Sequence, residues 1–254
     1  MAFEKQKLNL IMKQNSSNQV EPIMSSHTIG NTNVVSSPFR VLNLYACLGG
    51  NRYKWTNCEV TAVELDAELA RMYQDRFPND KVIIADAHQY LLEHYKEFDF
   101  IWTSPPCPSH SRINVSQYTR ESWTPKYPDM KLYEEVIFLD NFFEGKYCVE
   151  NVIPYYEPLI KGQQRGRHIY WCNFKLPTNI NERKNPDLSR TKDLITELSK
   201  FHDYDFRQYK GEQRMDKIAR NLVDYEAGLT IFNTARGIIE KSNVKQPNLF
   251  EGVL

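Results

Sequence analysis

The stretch Phe98-Asp99-Phe100-Ile101-Trp102-Thr103-Ser104-Pro105-Pro106-Cys107-Pro108-Ser109-His110-Ser111 decides the fold. Its first six residues are mostly aromatic and β-branched, the composition of a buried strand. Prolines on both sides of Cys107 then forbid helix and fix the backbone, because each locks its own φ and restricts the residue before it. A rigid thiol at the C-terminal end of a strand sits where open α/β sheets bind ligands. Most free cysteines are small buried hydrophobes. The proline frame singles Cys107 out as a candidate nucleophile.

Upstream, Val41–Tyr45 reads as a first strand, followed by Ala46-Cys47-Leu48-Gly49-Gly50. A glycine turn after a strand lets a ligand approach the backbone. A bare Gly-Gly is also an ordinary turn, and the next strand, Val60–Val63, strengthens the ligand reading. It ends in Glu64, an acid placed to hydrogen-bond ribose hydroxyls. No Gly-x-Gly-x-x-Gly cradle follows the first strand, so a ligand with adenosine but no phosphate suits the site better than a dinucleotide. Asp66 caps a helix to about Phe77 whose stripe of Leu69, Met72, Tyr73 and Phe77 is core. Lys81–Ala85 is a third strand, and Asp86 after it serves both as N-cap of the helix around Gln89–Tyr95 and as acceptor for an adenine amino group.

Downstream, residues 108–128 lack periodicity, and a loop of that length beside a nucleophile reads as a lid contacting nucleic acid through Arg112, Arg120 and Trp123. Asp129 starts a helix with Leu132, Val136, Leu139 and Phe143 on one face. Lys146–Val149 is the fifth strand, closing on Glu150-Asn151-Val152, a second acid at the rim of Cys107. A basic run, Lys161–His168, precedes an aromatic strand, Ile169–Phe174. Strands alternating with helices imply a mostly parallel, doubly wound α/β sheet with its active rim at the C-terminal strand ends.

The totals fit one such domain of 254 residues with 41% hydrophobic composition. Five cysteines without a CxxC pair point to neither a disulfide scaffold nor a zinc site, and no metal is expected. No apolar run reaches membrane-spanning length, and the N-terminus lacks the apolar core of a signal peptide. The net charge of zero hides an asymmetry: residues 41–160 hold 11 Lys/Arg against 18 Asp/Glu, and residues 161–220 hold 14 against 8. Such a basic segment reads equally as a phosphate-binding face or as a solvated one. Residues 1–39 read as a flexible arm with a short helix at Leu8–Met12, 40–174 as the body, 175–215 as a small appendage with a helix from Thr191 to Leu198, and 216–241 as helical returns, Met215–Val223 and Glu226–Glu240. The tail 242–254 reads as weakly ordered.

The order Asn43-Leu44-Tyr45-Ala46-Cys47-Leu48-Gly49-Gly50, Glu64, Asp86, Ser104-Pro105-Pro106-Cys107, Glu150-Asn151-Val152 and a basic Arg-Gly-Arg before a strand resembles the C5-cytosine-specific DNA methyltransferases. The likeness covers about 40–174 and resumes at Arg220-Asn221-Leu222-Val223; Pro-Cys with Glu-Asn-Val is its specific part. It implies a Rossmann-like S-adenosylmethionine-dependent methyltransferase fold with a short target-recognition region at 175–215. It implies transfer of a methyl group to C5 of a flipped-out cytosine in double-stranded DNA, through a covalent Cys107 adduct, with S-adenosylhomocysteine as product. Cytosine C5 is a poor nucleophile until a thiolate adds at C6, which a proton at N3 makes possible. By resemblance Cys107 is that nucleophile, Glu150 serves N3, and Arg165 and Arg167 lower the thiol's pKa. Tyr45, Leu48, Gly49, Gly50, Glu64, Leu65, Asp86, Ala87, Pro106, Asn221 and Val223 would hold the cofactor. Ser109, Ser111, Arg112, Arg120 and His168 would face DNA, with the 108–128 loop closing behind the flipped base.

The chain departs from the family pattern in several places. Asn43 and Cys47 stand where Asp and Gly are usual, Pro108 where Gln or Asn is usual, and no proline follows Asn221-Leu222-Val223. A one-residue shift of the Arg motif exchanges the roles of Arg165, Arg167 and His168. The short recognition region implies a short or degenerate site, or an accessory partner that supplies specificity. The resemblance further implies a cytoplasmic enzyme of a bacterial or phage-infected cell, either paired with a restriction nuclease or an orphan. Three other readings stay open: an RNA cytosine-C5 methyltransferase, an amino-methyltransferase of the Ser-Pro-Pro-Tyr type, which needs no thiol, and a silent DNA-binding module of the same fold.

Overall fold

The structure, a computed structural model, describes residues 38–116, 118, 123–184, 186 and 193–238. The arm to residue 37 with its Leu8–Met12 helix, Arg120, part of the lid and the tail from 242 lie outside the described residues. Seven strands form one sheet: β1 Phe39–Leu44, β2 Cys58–Glu64, β3 Lys81–Ile84, β4 Phe100–Thr103, β5 Lys146–Val152, β6 Gln163–Arg165 and β7 His168–Cys172. Their spatial order is β3-β2-β1-β4-β5-β7-β6, parallel from β3 to β5, with β7 antiparallel to both β5 and β6. The order reverses between β1 and β4, which opens a crevice at their C-terminal ends. This is a Rossmann-like α/β sheet, as the sequence predicts.

Helices cover both faces because the strands alternate. Leu42, Leu44 and Val63 meet Leu91 of α2 (Ala87–His94) and Leu132, Val136 and Leu139 of α4 (Lys131–Phe142). Val41, Val60, Phe100 and Trp102 turn the other way, toward Trp55 and toward Ala227, Ile231 and Phe232 of α7 (Tyr225–Ala235). Among the described residues no helix joins β1 to β2. Trp55 of that loop fills the space, its indole N–H donating to Gly228 O at 3.0 Å. Gly228 permits this approach, since a Cβ there would lie 2.4 Å from Asn51 O.

The same loop is anchored by a buried charge pair. Arg52 donates from Nε and Nη2 to the two Asp80 oxygens at 2.9 and 2.9 Å, and Tyr73 OH donates to Asp80 at 2.9 Å. Removing one partner strands the other in low dielectric, so Asp80→Ala is expected to cost about 3–5 kcal/mol of stability in urea unfolding. A loss under about 1 kcal/mol would contradict this account.

Element boundaries mostly follow the sequence reading, and the exceptions have causes. Asp66 caps α1 (Ala67–Arg76), accepting from Glu68 and Leu69 N–H. Asp129 does not start α4; its side chain accepts from Lys131 N–H at 3.1 Å and the helix begins two residues later. β5 does not stop at Val149 but runs through Glu150 to Val152, because antiparallel β7 pairs Cys148 through Val152 beyond the reach of β4. The basic run folds back as a β6–β7 hairpin around Gly166, whose φ is +52°. Within the lid, α3 (Arg112–Ser116) forms and Ser111 bridges to Pro154. α5 (Leu194–His202) of the expected appendage and α6 (Met215–Asn221), the first of the expected helical returns, bury Leu198, Phe206, Tyr209 and Ile218 in one cluster with Leu48, Leu69 and Met72. The last helical return ends at Ala235, ahead of Gly237 at φ +69°. Among the described residues no helix is long and apolar enough to cross a membrane.

Candidate active site

The crevice at the strand reversal holds a cavity of about 710 Å³. Tyr45, Glu64, Leu65, Asp86 and Ala87 line one part, and Pro106, Cys107, Glu150 and His168 another, with Asn221 and Val223 from α6 and the residues after it. These come from seven separate segments of the sequence, brought together because each lies at, near or just past the C-terminal end of a parallel strand, at the start of the antiparallel β7, or on or just after the returning helix.

The turn after β1 is unusual in its backbone. Tyr45 and Cys47 both adopt left-handed φ, +54° and +47°, where most side chains are strained. The Cys47 angle explains why glycine suits that position. Two backbone donors hold the turn to β2: Cys47 N–H gives to Glu64 Oε2 at 2.8 Å, and Asp66 N–H to Glu64 Oε1 at 3.0 Å. Burial raises the Glu64 pKa against these donors, which lower it. The carboxylate is thereby fixed in direction, facing the cavity. Asp86 accepts from Gln89 N–H at 3.0 Å as N-cap of α2, and that donor first, then Lys131, holds its carboxyl below the usual range against slight burial. Its second oxygen lies 3.8 Å from Lys131 Nζ. Leu65, 69% exposed, offers a flat apolar surface between the two acids.

Leu48, Gly49 and Gly50 do not line the cavity. Leu48 is buried beneath α1 and α6. A Cβ on Gly49 would lie 2.5 Å from the Phe77 ring, and one on Gly50 2.5 Å from Val223 O. Both glycines therefore serve packing, and Gly50 lets the chain after α6 close against the β1 turn. At the unusual Asn43, a fully buried side chain pairs instead with Asn51, which donates to it at 2.8 Å.

The Cys107 loop is clamped from β5. Buried Asn151 donates from Nδ2 to Pro105 O at 2.9 Å, and Cys107 O accepts from His110 and Ser111 N–H, both at 3.0 Å. Two thiols reach the cavity. That of Cys47 is pushed up to about 12 by burial and by Glu64. That of Cys107 is raised by burial and by Glu150, and Lys217 of α6 opposes the rise. Glu150 sits buried on β5 with Oε1 3.6 Å from His168 Nε2. Burial disfavours the His168 charge, but Glu150 and Glu182 outweigh it, and the pKa is raised.

The arginines are not where the resemblance would put them. Arg165 donates from Nε to Pro177 O at 2.6 Å and from Nη2 to Leu176 O at 2.9 Å, so it braces the loop behind β6. Arg167 is exposed at the hairpin turn and does not line the cavity. The hairpin register resolves the exchange left open by the sequence, because His168 pairs opposite Val152 and reaches Glu150. The cation whose charge lowers the thiol's pKa is Lys217. Ser109, Ser111 and Arg112 also lie off the cavity: Ser109 Oγ accepts from Asp129 N–H at 3.0 Å, and Arg112 Nε lies 3.5 Å from Pro154 O.

Sequence reasoning missed Lys217, Arg220 and Gln213, which line the cavity. Helical spacing from Asn221 back to Lys217 was the available signal, since residues four apart share a face. It also missed the support of Tyr45. Tyr45 OH donates to Glu135 at 2.6 Å, Thr103 donates to the other Glu135 oxygen at 2.6 Å, and His88 Nδ1 lies 3.0 Å away. Glu135 hides within a helix whose periodicity reads as plain core.

Residues 39–135 match the family described as C-5 cytosine-specific DNA methylase. No curated protein matches the chain. Among solved structures, a putative methyltransferase, yhhF, from Escherichia coli is 14% identical, over 52% of this chain and 73% of that one, at a TM-score of 0.35. A DNMT2 variant from Spodoptera frugiperda is 22% identical, over 45% of this chain and 35% of that one, at 0.32. A putative DNA modification methyltransferase encoded within an Escherichia coli prophage is 17% identical, over 47% and 33%, at 0.32. At such scores these likenesses add nothing to the sheet order. The chain carries the C5-cytosine methylase pattern over residues 39–135, on a Rossmann-like sheet.

Proposed function

We propose that this protein transfers a methyl group from S-adenosylmethionine to C5 of a cytosine in duplex DNA, with Cys107 as nucleophile and Glu150 acting at N3. The observation that carries the reading is that one cavity is lined by Cys107 and Glu150 together with Glu64, Leu65 and Asp86. A thiol and a carboxyl facing one pocket suit addition to a pyrimidine; exocyclic amine methylation has no use for the thiol.

The cofactor portion fits an adenosine without phosphates. Glu64, fixed by two backbone donors, faces the cavity as a diol acceptor. Leu65 and Ala87 offer apolar faces, and Asp86 keeps an oxygen toward the cavity as acceptor for an amino group. No Gly-x-Gly-x-x-Gly pattern follows β1, as a phosphate-binding turn there would need. When bound, S-adenosylmethionine supplies an electrophilic methyl group at its sulfonium.

The chain's own residues prepare the acceptor. Cys107, as thiolate, adds to C6 while Glu150 supplies a proton at N3, so the electron pair of C5=C6 is drawn toward the ring nitrogen and C5 becomes nucleophilic. Lys217 favours the thiolate, and burial excludes water from it. After methylation a base takes the C5 proton, and elimination frees Cys107. The base must leave the stack to reach this pocket.

Glu64→Ala is expected to weaken S-adenosylmethionine binding about tenfold or more by calorimetry, since a charged acceptor is worth about 1.5–3 kcal/mol. An unchanged affinity would remove Glu64 from the cofactor site. The function itself is tested with methyl-labelled S-adenosylmethionine and mixed-sequence duplex DNA or RNA, digested to nucleosides. Label in 5-methyldeoxycytidine is the expected result. Label in RNA alone supports the RNA reading instead, and label only on exocyclic amines overturns both.

A further inference from the structure

Beside Glu150 lies a second carboxyl that neither the motif pattern nor the reading above uses. Glu182, in the segment after β7, places Oε1 3.3 Å from His168 Nδ1, and His168 Nε2 lies 3.6 Å from Glu150 Oε1. The three side chains form a line: carboxyl, imidazole, carboxyl. All are largely buried, with side-chain exposures of 15%, 16% and 9%. The Nδ1 contact is close as charges without being aligned as a hydrogen bond, and Nδ1 is itself sealed from solvent. The hairpin turn makes room for Glu182, since a Cβ on Gly166 would fall 2.0 Å from its Oε2.

We propose that His168 is the proton reservoir of Glu150, lending it the proton presented to N3, and that Glu182 is the positioning residue that holds the imidazole charged and oriented. The inference rests on the cytosine reading of the site and adds a relay to it. His168 starts as imidazolium between the two acids. Its Nε2 proton passes to Glu150, and Glu150 passes it on to N3, while the Cys107 sulfur, its own proton already lost to solvent, bonds to C6. The C5=C6 pair becomes C4=C5, and the C4=N3 pair ends on N3 with the new proton. On elimination the S–C6 pair leaves with sulfur, N3 returns its proton to Glu150, and Glu150 returns one to His168. No net proton is drawn from the relay.

The arrangement fixes a pH dependence. The charged groups around the imidazole are Glu150 from β5, Glu182 from the segment beyond β7, and Arg167 beside it, with the buried Tyr170 hydroxyl on its own strand. The two carboxyls raise the imidazole's pKa against burial and Arg167. The reservoir is full below that raised pKa and empties as pH climbs through it, so the relay sets a falling alkaline limb on kcat.

The test follows the His168 ring signals by NMR against pH in the full chain, identified through His168→Gln, together with kcat for methyl transfer. His168 is expected to titrate above 6.5. It is expected to fall by about one pH unit in Glu182→Gln, with the alkaline limb of kcat moving down equally. His168→Gln is expected to lower kcat about 100-fold and abolish that limb, with KM for DNA changed less than about threefold. An unshifted His168 titration in Glu182→Gln overturns the relay whatever the substrate, as does an unchanged kcat profile. A normal shift with no transfer by the parent protein to cytosine C5 overturns the cytosine reading instead, and with it N3 as acceptor.

Discussion

Cys107→Ser is expected to leave folding and S-adenosylmethionine affinity unchanged while lowering methyl transfer to cytosine by about 10⁴-fold or more, because a nucleophile that forms a covalent intermediate has no substitute in the pocket. Among the described residues the other cysteine lining the cavity, Cys47, is pushed up to about 12 by burial and Glu64 and is hydrogen-bonded into the β1 turn through its backbone. Burial and Glu150 raise the Cys107 pKa, so the thiol is mostly protonated near neutrality. Its alkylation by iodoacetamide should therefore quicken about tenfold per pH unit between pH 7 and 8. A serine variant that retains a tenth of the activity would remove Cys107 from the chemistry.

Glu150→Gln is expected to have the second largest effect. The amide keeps the size of the side chain and its place opposite Tyr170 on β5, but it has no acidic proton for N3. Proton transfer of this kind contributes about 10²–10⁴-fold, and kcat should fall by that factor in steady-state assays with duplex DNA. The variant also removes a negative charge from beside the thiol, so the Cys107 pKa should fall and alkylation at pH 7 should speed up. Opposite movements of methylation and alkylation distinguish a chemical role from a folding defect. A parallel loss of both would mark Glu150 as structural.

Much of the body was legible because its signals are local. Asp66 and Asp86 announce α1 and α2 as caps, and the apolar strand runs need only alternation to be read. The pairing of Cys107 with Glu150 was legible for a similar reason: Cys107 follows β4, and Glu150 lies one residue past the part of the parallel neighbour β5 that pairs with β4, so topology alone brings them to one rim. What was not legible depends on long-range pairing. Glu150 lies inside β5 because β7 comes back antiparallel, a partner 16 or more residues away in the chain that no local pattern encodes.

The basic stretch makes the same point about charge. Its excess of Lys and Arg left a phosphate-binding face and a solvated face equally open, and the structure spends Arg165 on backbone carbonyls and Arg183 on Asp224 and Phe201 O. Arg207 and Arg214 pair with Asp193 and Asp216. Composition counts charges without counting their partners. Lys217 and Arg220, which do reach the cavity, come from a helix read as packing. Glycine carries a parallel lesson: a Cβ on Gly49 or Gly50 would meet Phe77 or Val223 O at 2.5 Å, a packing demand that the motif reading did not include.

Under the proposed function, Cys107 adds to C6 of a cytosine whose N3 is served by Glu150. Duplex DNA carrying 5-fluorocytosine in place of cytosine blocks the final proton loss, because fluorine does not leave as a proton would. Incubated with S-adenosylmethionine, the protein is expected to form a denaturation-resistant adduct whose mass equals chain plus DNA plus one methyl group, mapped to the peptide containing Cys107 and absent in Cys107→Ser. Methylation of ordinary cytosine without any such adduct, or an adduct mapped to Cys47, would contradict the account.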